Sequence, residues 1–263
     1  MTLHVESAGD GPPLVLLHGF ALHGGIFAPV VHALARRRRV HVVDLPGHGY
    51  SDAAQAGDLA GVADAVVSSL GLDEPATILG WSFGGIVAQH IALSQPDAVA
   101  ALVLVCTTPR FVSAHDWPHA MGADTLARFG DELRVAYRLT LQRFLTLQVQ
   151  GSDAGRATLA ALRQGLFARN APSPATLAAM LAILTETDLR RAAPAIAVPS
   201  LVVTGPRDTL TPAPAGAWLA AAIPNARHAA IDGAAHAPFL SHRDAFVDTV
   251  GAFLDEHAEL SRA

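Results

Sequence analysis

Short hydrophobic runs alternate along this chain with longer segments in which apolar residues recur every three or four positions. Apolar runs of three to five residues that end in loop residues are typical of strands buried in a parallel sheet. Such runs occupy residues 14–17, 40–43, 77–79, 102–105, 200–204 and 229–231. The pattern therefore predicts an α/β fold, with a mostly parallel central sheet and helices on both faces.

The pattern changes between residues 111 and 188, where only helical periodicity is present. Helices are predicted there at residues 125–138, 141–148, 157–168 and 174–184. The strand pattern returns after Pro194 and Pro199. We therefore expect a core formed by residues 1–110 and 189–263, interrupted in the second half by a helical cap, residues 111–188.

The sharpest local motif is the segment GWSFG, residues 80–84, between a predicted strand and a predicted helix at residues 86–93. A G-x-S-x-G motif in this context is typical of a nucleophile elbow, where small residues allow a tight turn that exposes the serine. The alternative is a glycine-rich turn with an incidental serine. The context favours Ser82 as a catalytic nucleophile.

A nucleophilic serine requires a general base and an acid that orients the base. Asp208 and His236 follow two later predicted strands, and the carboxyl ends of parallel strands meet at one edge of a sheet. Asp232 also follows a strand, but it lies only four residues from His236, which leaves little chain to bring the two side chains together. The sequence therefore predicts a triad of Ser82, His236 and Asp208.

The oxyanion hole of such a site is expected to use two backbone N–H groups. Phe83, directly after the nucleophile, supplies one of them. Phe20, in the loop that follows the strand at residues 14–17, supplies the other. His18 in the same loop is interpreted as a structural residue that holds the loop by hydrogen bonds.

Composition excludes several other classes of protein. The chain has 263 residues, 51% of them hydrophobic, which favours a folded domain with a large core. A formal charge of −5 argues against a general nucleic-acid binder. The basic run at residues 36–39 is interpreted as solvated arginines that end a helix. A single cysteine, Cys106, excludes an internal disulfide framework.

No secretory signal and no apolar stretch long enough to span a membrane is seen in the sequence. These features predict a cytoplasmic protein without a membrane partner, and we expect a monomer. His115 and His119 have the spacing of metal ligands on a helix, but Pro118 between them argues against a regular helix. The sequence therefore predicts neither a metal site nor a cofactor.

Several motifs resemble those of the α/β-hydrolases. They are LLHGF (residues 16–20), VDLPG (43–47), LGWSFGG (79–85) and AAHAPF (234–239). Within that superfamily, the insert resembles the cap of the biotin-synthesis carboxylesterases. The similar stretches are RFVSAHDWP (110–118), QRFLTLQ (142–148) and DLR (188–190). Phe20 and Phe83 stand where those carboxylesterases have a Trp and a Leu. Both replacements remain apolar, so they bear on the shape of the pocket more than on the chemistry.

The resemblance implies a serine carboxyl-ester hydrolase that removes the methyl group from pimeloyl-[acyl-carrier protein] methyl ester and also accepts short-chain esters. It implies that the substrate contacts Phe20, Ser82, Phe83, Phe144, Leu145, Thr146, Leu147, Gln148 and His236. One alternative is a general esterase, lactonase or carbon–carbon bond hydrolase with the same triad. Another is a binding protein that kept the fold and lost catalysis.

Charge is distributed unevenly along the chain. Residues 126–170 carry seven arginines and three acidic residues, a net charge of +4, whereas the remainder carries −9. A basic cap on an acidic protein is suited to docking an acidic acyl-carrier protein. The candidate docking residues are Arg138, Arg143, Arg156 and Arg163. The alternative is a set of solvated arginines on amphipathic helices.

Overall fold

A seven-stranded sheet forms the centre of the computed structural model, which describes residues 2–52 and 57–258. Its strands are β1 (Val5–Ala8), β2 (Pro13–Leu17), β3 (Arg39–Val43), β4 (Ala76–Trp81), β5 (Val99–Val105), β6 (Ser200–Thr204) and β7 (Ala226–Ala230). The order across the sheet is β1-β3-β2-β4-β5-β6-β7, and only β1 pairs antiparallel. This confirms the predicted fold class.

The strands β2, β4, β5 and β6 are buried along their whole length, which explains why their sequences are continuous apolar runs. The edge strand β1 was not predicted, because its sequence VESA is mostly polar and mostly exposed. The other edge strand, β7, begins three residues earlier than predicted. It includes exposed Arg227 and His228, so its apolar signal is weak.

Helices pack on both faces of the sheet. Those of the core are α1 (Ala28–Leu34), α2 (Leu59–Leu70), α3 (Phe83–Ser94), α7 (Ala213–Ala222), α8 (Pro238–Ser241) and α9 (Arg243–Glu256). Short 3₁₀ helices lie at Gly24–Phe27, Pro96–Ala98 and Ala193–Ala195. No helix within the described parts of the chain is both long enough and apolar enough to cross a membrane.

Residues 111–188, called the cap below, are all described and contain three helices and no strand of the sheet. They are α4 (Ala123–Gln148), α5 (Gly155–Leu166) and α6 (Pro174–Glu186). The two helices predicted at 125–138 and 141–148 form one element, with a local break at Ala136 (φ −145°, ψ 52°). The helix α4 packs on α5 and α6, and α5 also packs on α8 of the core.

Buried or half-buried arginines fasten the cap to the core. Arg169, after α5, donates to Asp44 Oδ2 at 2.9 Å and to both carboxylate oxygens of Glu6 at 2.7 Å. At the other end of the cap, Arg190 pairs with Asp188 and Asp116 at 2.7 and 2.9 Å. The contacts of Arg169 with Asp44 and Glu6, and of Arg190 with Asp116, join residues that are far apart in sequence, so they attach the cap to the core.

The arginines at residues 36–39 are not uniformly solvated, so that interpretation is corrected for part of the run. Arg38 is buried and donates to the main-chain carbonyl of Leu254. Arg37 pairs with Asp255 of the same C-terminal helix. The run therefore helps to attach α9 to α1, a role that depends on tertiary contacts and is not visible in the local sequence.

Candidate active site

The backbone turn between β4 and α3 carries Ser82 in a conformation that few side chains adopt (φ +55°, ψ −117°). The turn is tight because a Cβ atom on Gly80 would lie 2.3 Å from the Gly84 carbonyl oxygen, and one on Gly84 would lie 2.2 Å from that of Leu17. A hydrogen bond from the Ser82 N–H to the Val105 carbonyl, at 2.9 Å, holds the turn in place. The two glycines of the motif are therefore required by close backbone contact.

Three buried side chains form one hydrogen-bonded chain at the carboxyl edge of the sheet. His236 Nε2 lies 2.9 Å from Ser82 Oγ, and His236 Nδ1 lies 2.7 Å from Asp208 Oδ2. Ser82, Asp208 and His236 are exposed by only 6%, 5% and 1%. With Nδ1–H donating to the carboxylate, Nε2 is free to accept the serine proton, which is the arrangement a general base needs.

Asp208, rather than Asp232, faces the imidazole. The carboxylate of Asp208 accepts N–H donors from Leu210 at 2.8 Å and Thr211 at 3.1 Å, both on Oδ1. Asp232 is exposed. The loop after β6 brings the Asp208 carboxylate to the imidazole because Gly205 packs closely against the main chain of Ala235. A Cβ atom on Gly205 would lie 2.1 Å from the Ala235 carbonyl oxygen.

The main chain of His236 is held from two sides. Its N–H donates to the carbonyl of Gln148, the last residue of α4, at 3.1 Å. Its carbonyl accepts a hydrogen bond from Trp81 Nε1 at 2.7 Å. One partner belongs to the cap and the other to the strand that precedes Ser82, so both parts of the molecule position the imidazole.

The backbone N–H groups of Phe20 and Phe83, which are predicted to hold the oxyanion, belong to two segments that adjoin Ser82. Phe83 follows Ser82 as the first residue of α3. The loop with Phe20 runs alongside, since a Cβ atom on Gly19 would lie 3.3 Å from Ser82 Cβ. In residues 2–52 and 57–258, neither N–H donates to a protein acceptor, so both remain available to substrate.

A buried histidine, His18, supports the loop that carries Phe20, called the oxyanion loop below. The ring of His18 contacts the Gly19 carbonyl at 2.8 Å through Nδ1 and accepts the Leu45 N–H at 2.9 Å through Nε2. Burial, with the nearby charge of His48 as a smaller cause, lowers the pKa of His18 to about 3. His18 is thus a structural residue, as the sequence predicted, and its protonation is strongly disfavoured.

The sequence of the chain matches the model of the alpha/beta hydrolase fold family over residues 12–243. The chain belongs to the α/β-hydrolase family. Two curated relatives, both pimeloyl-[acyl-carrier protein] methyl ester esterases, come from Chromobacterium violaceum and Xanthomonas oryzae pv. oryzae. The first is 45% identical over 98% of this chain and 100% of its own length; the second is 46% identical over 96% and 98%. The resemblance inferred from sequence motifs is confirmed.

The fold of this α/β-hydrolase also matches solved structures. An esterase from Exiguobacterium antarcticum superposes with a TM-score of 0.85 at 24% identity, covering 96% of this chain and 95% of that one. At that identity, the superposition shows the fold alone, and it carries no information about substrate.

An aromatic cluster lies beside the oxyanion loop of this α/β-hydrolase. The ring of Phe20 contacts those of Phe144 and Phe129, with centroids 6.0 and 5.9 Å apart, and the latter two lie 5.3 Å from each other. Phe20 is a core residue and the others come from α4. Phe129 was missed by the sequence analysis. The sequence predicts Phe129 and Phe144 on two separate helices, so no local spacing indicates that their rings meet.

The predicted substrate-contacting segment, residues 144–148, is partly buried and partly exposed. Phe144 contacts Phe20, and Leu145 and Gln148 are buried. Thr146 and Leu147 are exposed, Leu147 by 42%. A helix turns by about 100° per residue, so five successive side chains cannot all line one pocket. Thr146 and Leu147 therefore lie on the exposed side of α4, and their contact with substrate stays a prediction.

The thiol of Cys106 lies close to the acid–base pair. Its Sγ and one ligand atom each of Asp208 and His236 lie within 4.8 Å of one another. Burial and the charge of Asp208 raise the pKa of the thiol well above its usual range, whereas metal ligation requires a thiolate. Both ring nitrogens of His236 are already engaged. These residues fit acid–base chemistry and do not fit a metal.

The four candidate docking arginines, Arg138, Arg143, Arg156 and Arg163, are exposed on the cap. The guanidinium of Arg138 lies over the ring of Phe167 at 5.3 Å, and Arg143 is 3.8 Å from Glu132. Arg156 and Arg163 make no ion pair with any described residue. No acidic side chain of residues 2–52 and 57–258 is therefore paired with these last two arginines.

Proposed function

We propose that this α/β-hydrolase is a serine carboxyl-ester hydrolase that removes the methyl group from pimeloyl-[acyl-carrier protein] methyl ester in biotin synthesis. The observation that carries the proposal is the Ser82–His236–Asp208 hydrogen-bonded chain, in a protein that is 45% identical over 98% of its length to an esterase of that name. A cytoplasmic location belongs to the proposal and is supported by the single, unpaired thiol.

The geometry supports a two-step mechanism. Ser82 Oγ attacks the ester carbonyl while His236 Nε2 takes its proton, and the new oxyanion is held by the Phe20 and Phe83 N–H groups. The tetrahedral intermediate collapses, and His236 returns the proton to the leaving methoxide, which departs as methanol. Water, deprotonated by His236, then attacks the acyl-enzyme and releases the free carboxylate and Ser82.

The aromatic cluster supports an apolar acyl chain as substrate. Phe20, Phe129 and Phe144 offer hydrocarbon surface directly beside the oxyanion loop, and each buried methylene contributes about 0.8 kcal/mol to binding. Gln148 adds a polar group. Its side chain is buried, and its Oε1 has no hydrogen-bond partner among the described residues. We propose that residues 111–188 close over the acyl chain, with Phe129, Phe144 and Gln148 in contact with it.

The proposed function is tested with the purified protein and the carrier-linked methyl ester, with loss of the methyl group followed by mass spectrometry. Ser82→Ala should lower kcat at least about a thousandfold while the protein stays folded. Ser94→Ala, at the exposed end of the same helix, is the matched control and should hydrolyse the ester normally. The wild-type gene, unlike the Ser82→Ala gene, should rescue a biotin auxotroph that lacks its esterase.

Two outcomes would contradict this proposal. Hydrolysis of short p-nitrophenyl esters without any activity on the carrier-linked ester would favour the general esterase, lactonase or carbon–carbon hydrolase alternative. A wild-type protein that hydrolyses neither ester and is not labelled by a fluorophosphonate at Ser82 would favour a binding protein.

We further propose that the exposed cap arginines dock the acyl-carrier protein. The support is their charge: residues 126–170 carry +4 on a protein whose other residues carry −9, and Arg156 and Arg163 have no acidic partner among the described residues. Exposed apolar side chains lie among them on α4, with Val135 exposed by 89% and Leu139 by 49%. Charge at the rim and apolar contact at the centre is the usual composition of a specific protein interface.

The docking surface is tested by reversing two arginines that flank the Phe144–Gln148 end of α4. Arg143→Glu/Arg156→Glu should lower kcat/KM on the carrier-linked ester about tenfold at low salt, because attraction becomes like-charge repulsion. Hydrolysis of a p-nitrophenyl ester should change less than about threefold. Arg36→Glu/Arg191→Glu, two exposed core arginines, is the control with the same change in net charge. Equal losses in both double variants would refute a local docking role.

A further inference from the structure

Asp208 receives one hydrogen bond that neither the motif nor the turn geometry accounts for. The hydroxyl of Thr211 donates to Asp208 Oδ2 at 2.6 Å, the same oxygen that accepts His236 Nδ1–H at 2.7 Å. Thr211 Oγ also lies 3.4 Å from His236 Nδ1. The side chain is 2% exposed, so this hydroxyl is in contact with the acid–base pair and shielded from water.

We propose that Thr211 is a positioning residue for the reaction, whose hydroxyl fixes Asp208 Oδ2 on the imidazole of His236 and shares its negative charge. The inference rests on the proposed esterase function and concerns how Asp208 orients His236 and stabilises its imidazolium form.

The two carboxylate oxygens have different partners, which separates this role from a structural one. Oδ1 accepts the Leu210 and Thr211 N–H groups, and these two bonds close the turn after β6. Oδ2 accepts the Thr211 hydroxyl and His236 Nδ1–H. The hydroxyl bond therefore acts on the oxygen that faces the base.

The backbone keeps this hydroxyl in place. Thr211 is followed by Pro212 and the first turn of α7, and its own N–H is bonded to the same carboxylate. A β-branched side chain on a fixed backbone has few allowed rotamers, so little entropy is lost in holding Oγ at the carboxylate. A serine at this position would keep the donor, whereas valine would keep the shape and remove it.

Removal of the hydroxyl has a predictable effect on the base. An oxygen that accepts one donor fewer concentrates its negative charge on the remaining donor, which stabilises the imidazolium form of His236. Among the described residues, the ionisable groups that face His236 are Asp208, the protonated thiol of Cys106 and the Ser82 hydroxyl. None of the others changes in the variant, so the effect is assigned to Asp208.

The experiment measures hydrolysis of a short p-nitrophenyl ester between pH 5 and 9 by the full-length protein, which avoids any dependence on carrier docking. Thr211→Val should lower kcat roughly three- to thirtyfold with less than a twofold change in KM. The acidic limb of its kcat/KM profile should move to higher pH by about half a pH unit. Thr211→Ser should restore both properties.

Thr204→Val is the matched control. Thr204 is also a buried threonine in this part of the chain, but its hydroxyl bonds to His228 and does not touch the triad. It should keep the wild-type kcat and profile, with folding of all variants checked by circular dichroism. A folded Thr211→Val with wild-type kcat and an unmoved acidic limb would overturn the proposal, as would a loss that Thr211→Ser does not restore. If the wild-type protein hydrolyses no ester, the proposed function itself fails, which is a separate result.

Discussion

His18 and His48 are buried behind the oxyanion loop, and each ring is held as a neutral imidazole. His18 Nε2 accepts the Leu45 N–H, which a protonated ring cannot do. His48 Nδ1 donates to the Pro46 carbonyl at 3.0 Å, while its Nε2 has no partner among the described residues. Burial lowers the pKa of His18 to about 3 and that of His48 to about 4.

These values predict a loss of stability in mild acid. In the unfolded chain both rings titrate near pH 6.5, so that state takes up protons as the pH falls from 7 to 5 while the folded state does not. Each pH unit below about 6.5 then costs about 1.4 kcal/mol per histidine. At pH 5 the free energy of unfolding should be lower by about 2 kcal/mol for each ring and about 4 kcal/mol for both.

The sign of this effect is fixed by the direction of the pKa changes. Stability contributed by a histidine with a lowered native pKa is fully present above about pH 6.5 and falls until the native pKa is reached, near pH 3 to 4 here. Burial also lowers the pKa values of His23 and His41, which add in the same direction. A domain is typically stable by only 5–15 kcal/mol, so the loss is large.

Urea unfolding followed by fluorescence at pH 7, 6 and 5 measures the effect. His48→Leu removes one titrating ring, so its free energy of unfolding should fall by about 2 kcal/mol less between pH 7 and 5 than that of the wild type. His115→Gln, an exposed histidine of the cap, is the control and should show the wild-type pH dependence. A wild-type free energy of unfolding that is constant between pH 7 and 5 would refute the neutral, buried state of both rings.

Two further predictions concern stability. Arg169→Met removes the cationic partner of fully buried Asp44 and should cost about 3 kcal/mol in urea unfolding. Arg227→Met, which breaks an exposed pair with Glu256, should cost less than about 1 kcal/mol, and equal costs would contradict a fastening role for Arg169. Gly84→Ala should abolish the fold or the activity, because the new Cβ would collide with the Leu17 carbonyl. Gly251→Ala, in open space on α9, should instead stabilise the protein by up to about 1 kcal/mol in thermal unfolding. A folded, active Gly84→Ala protein would contradict the close approach.

The parts of the fold that could be predicted are those whose signal is local. Strands such as β5, buried on both faces, are continuous apolar runs and were found within a few residues of their bounds. The edge strand β1 has no such signal, since it is held by pairing with β3 and exposes most of its side chains. The break at Ala136 was expected a few residues later, because nothing in the local sequence marks the position where α4 changes direction.

At the candidate site, sequence predicted the residues that a motif or a strand end marks, and the structure brings Ser82, Asp208 and His236 into contact. It missed Phe129 and Thr211, whose roles depend on which side chains face them after folding. Resemblance in the cap identified a segment, residues 144–148, but helical geometry decides which of its side chains turn inward.

The main chain and the side chain of Gln148 contribute to the site in different ways. Its main-chain carbonyl fixes the N–H of His236, a contact that any residue ending α4 at this position would make. Its side chain, by contrast, is buried with Oε1 unpaired among the described residues, which costs about 1–3 kcal/mol unless a ligand supplies a donor. The carbonyl therefore explains how the cap holds the base, and only the amide gives a reason for glutamine at this position.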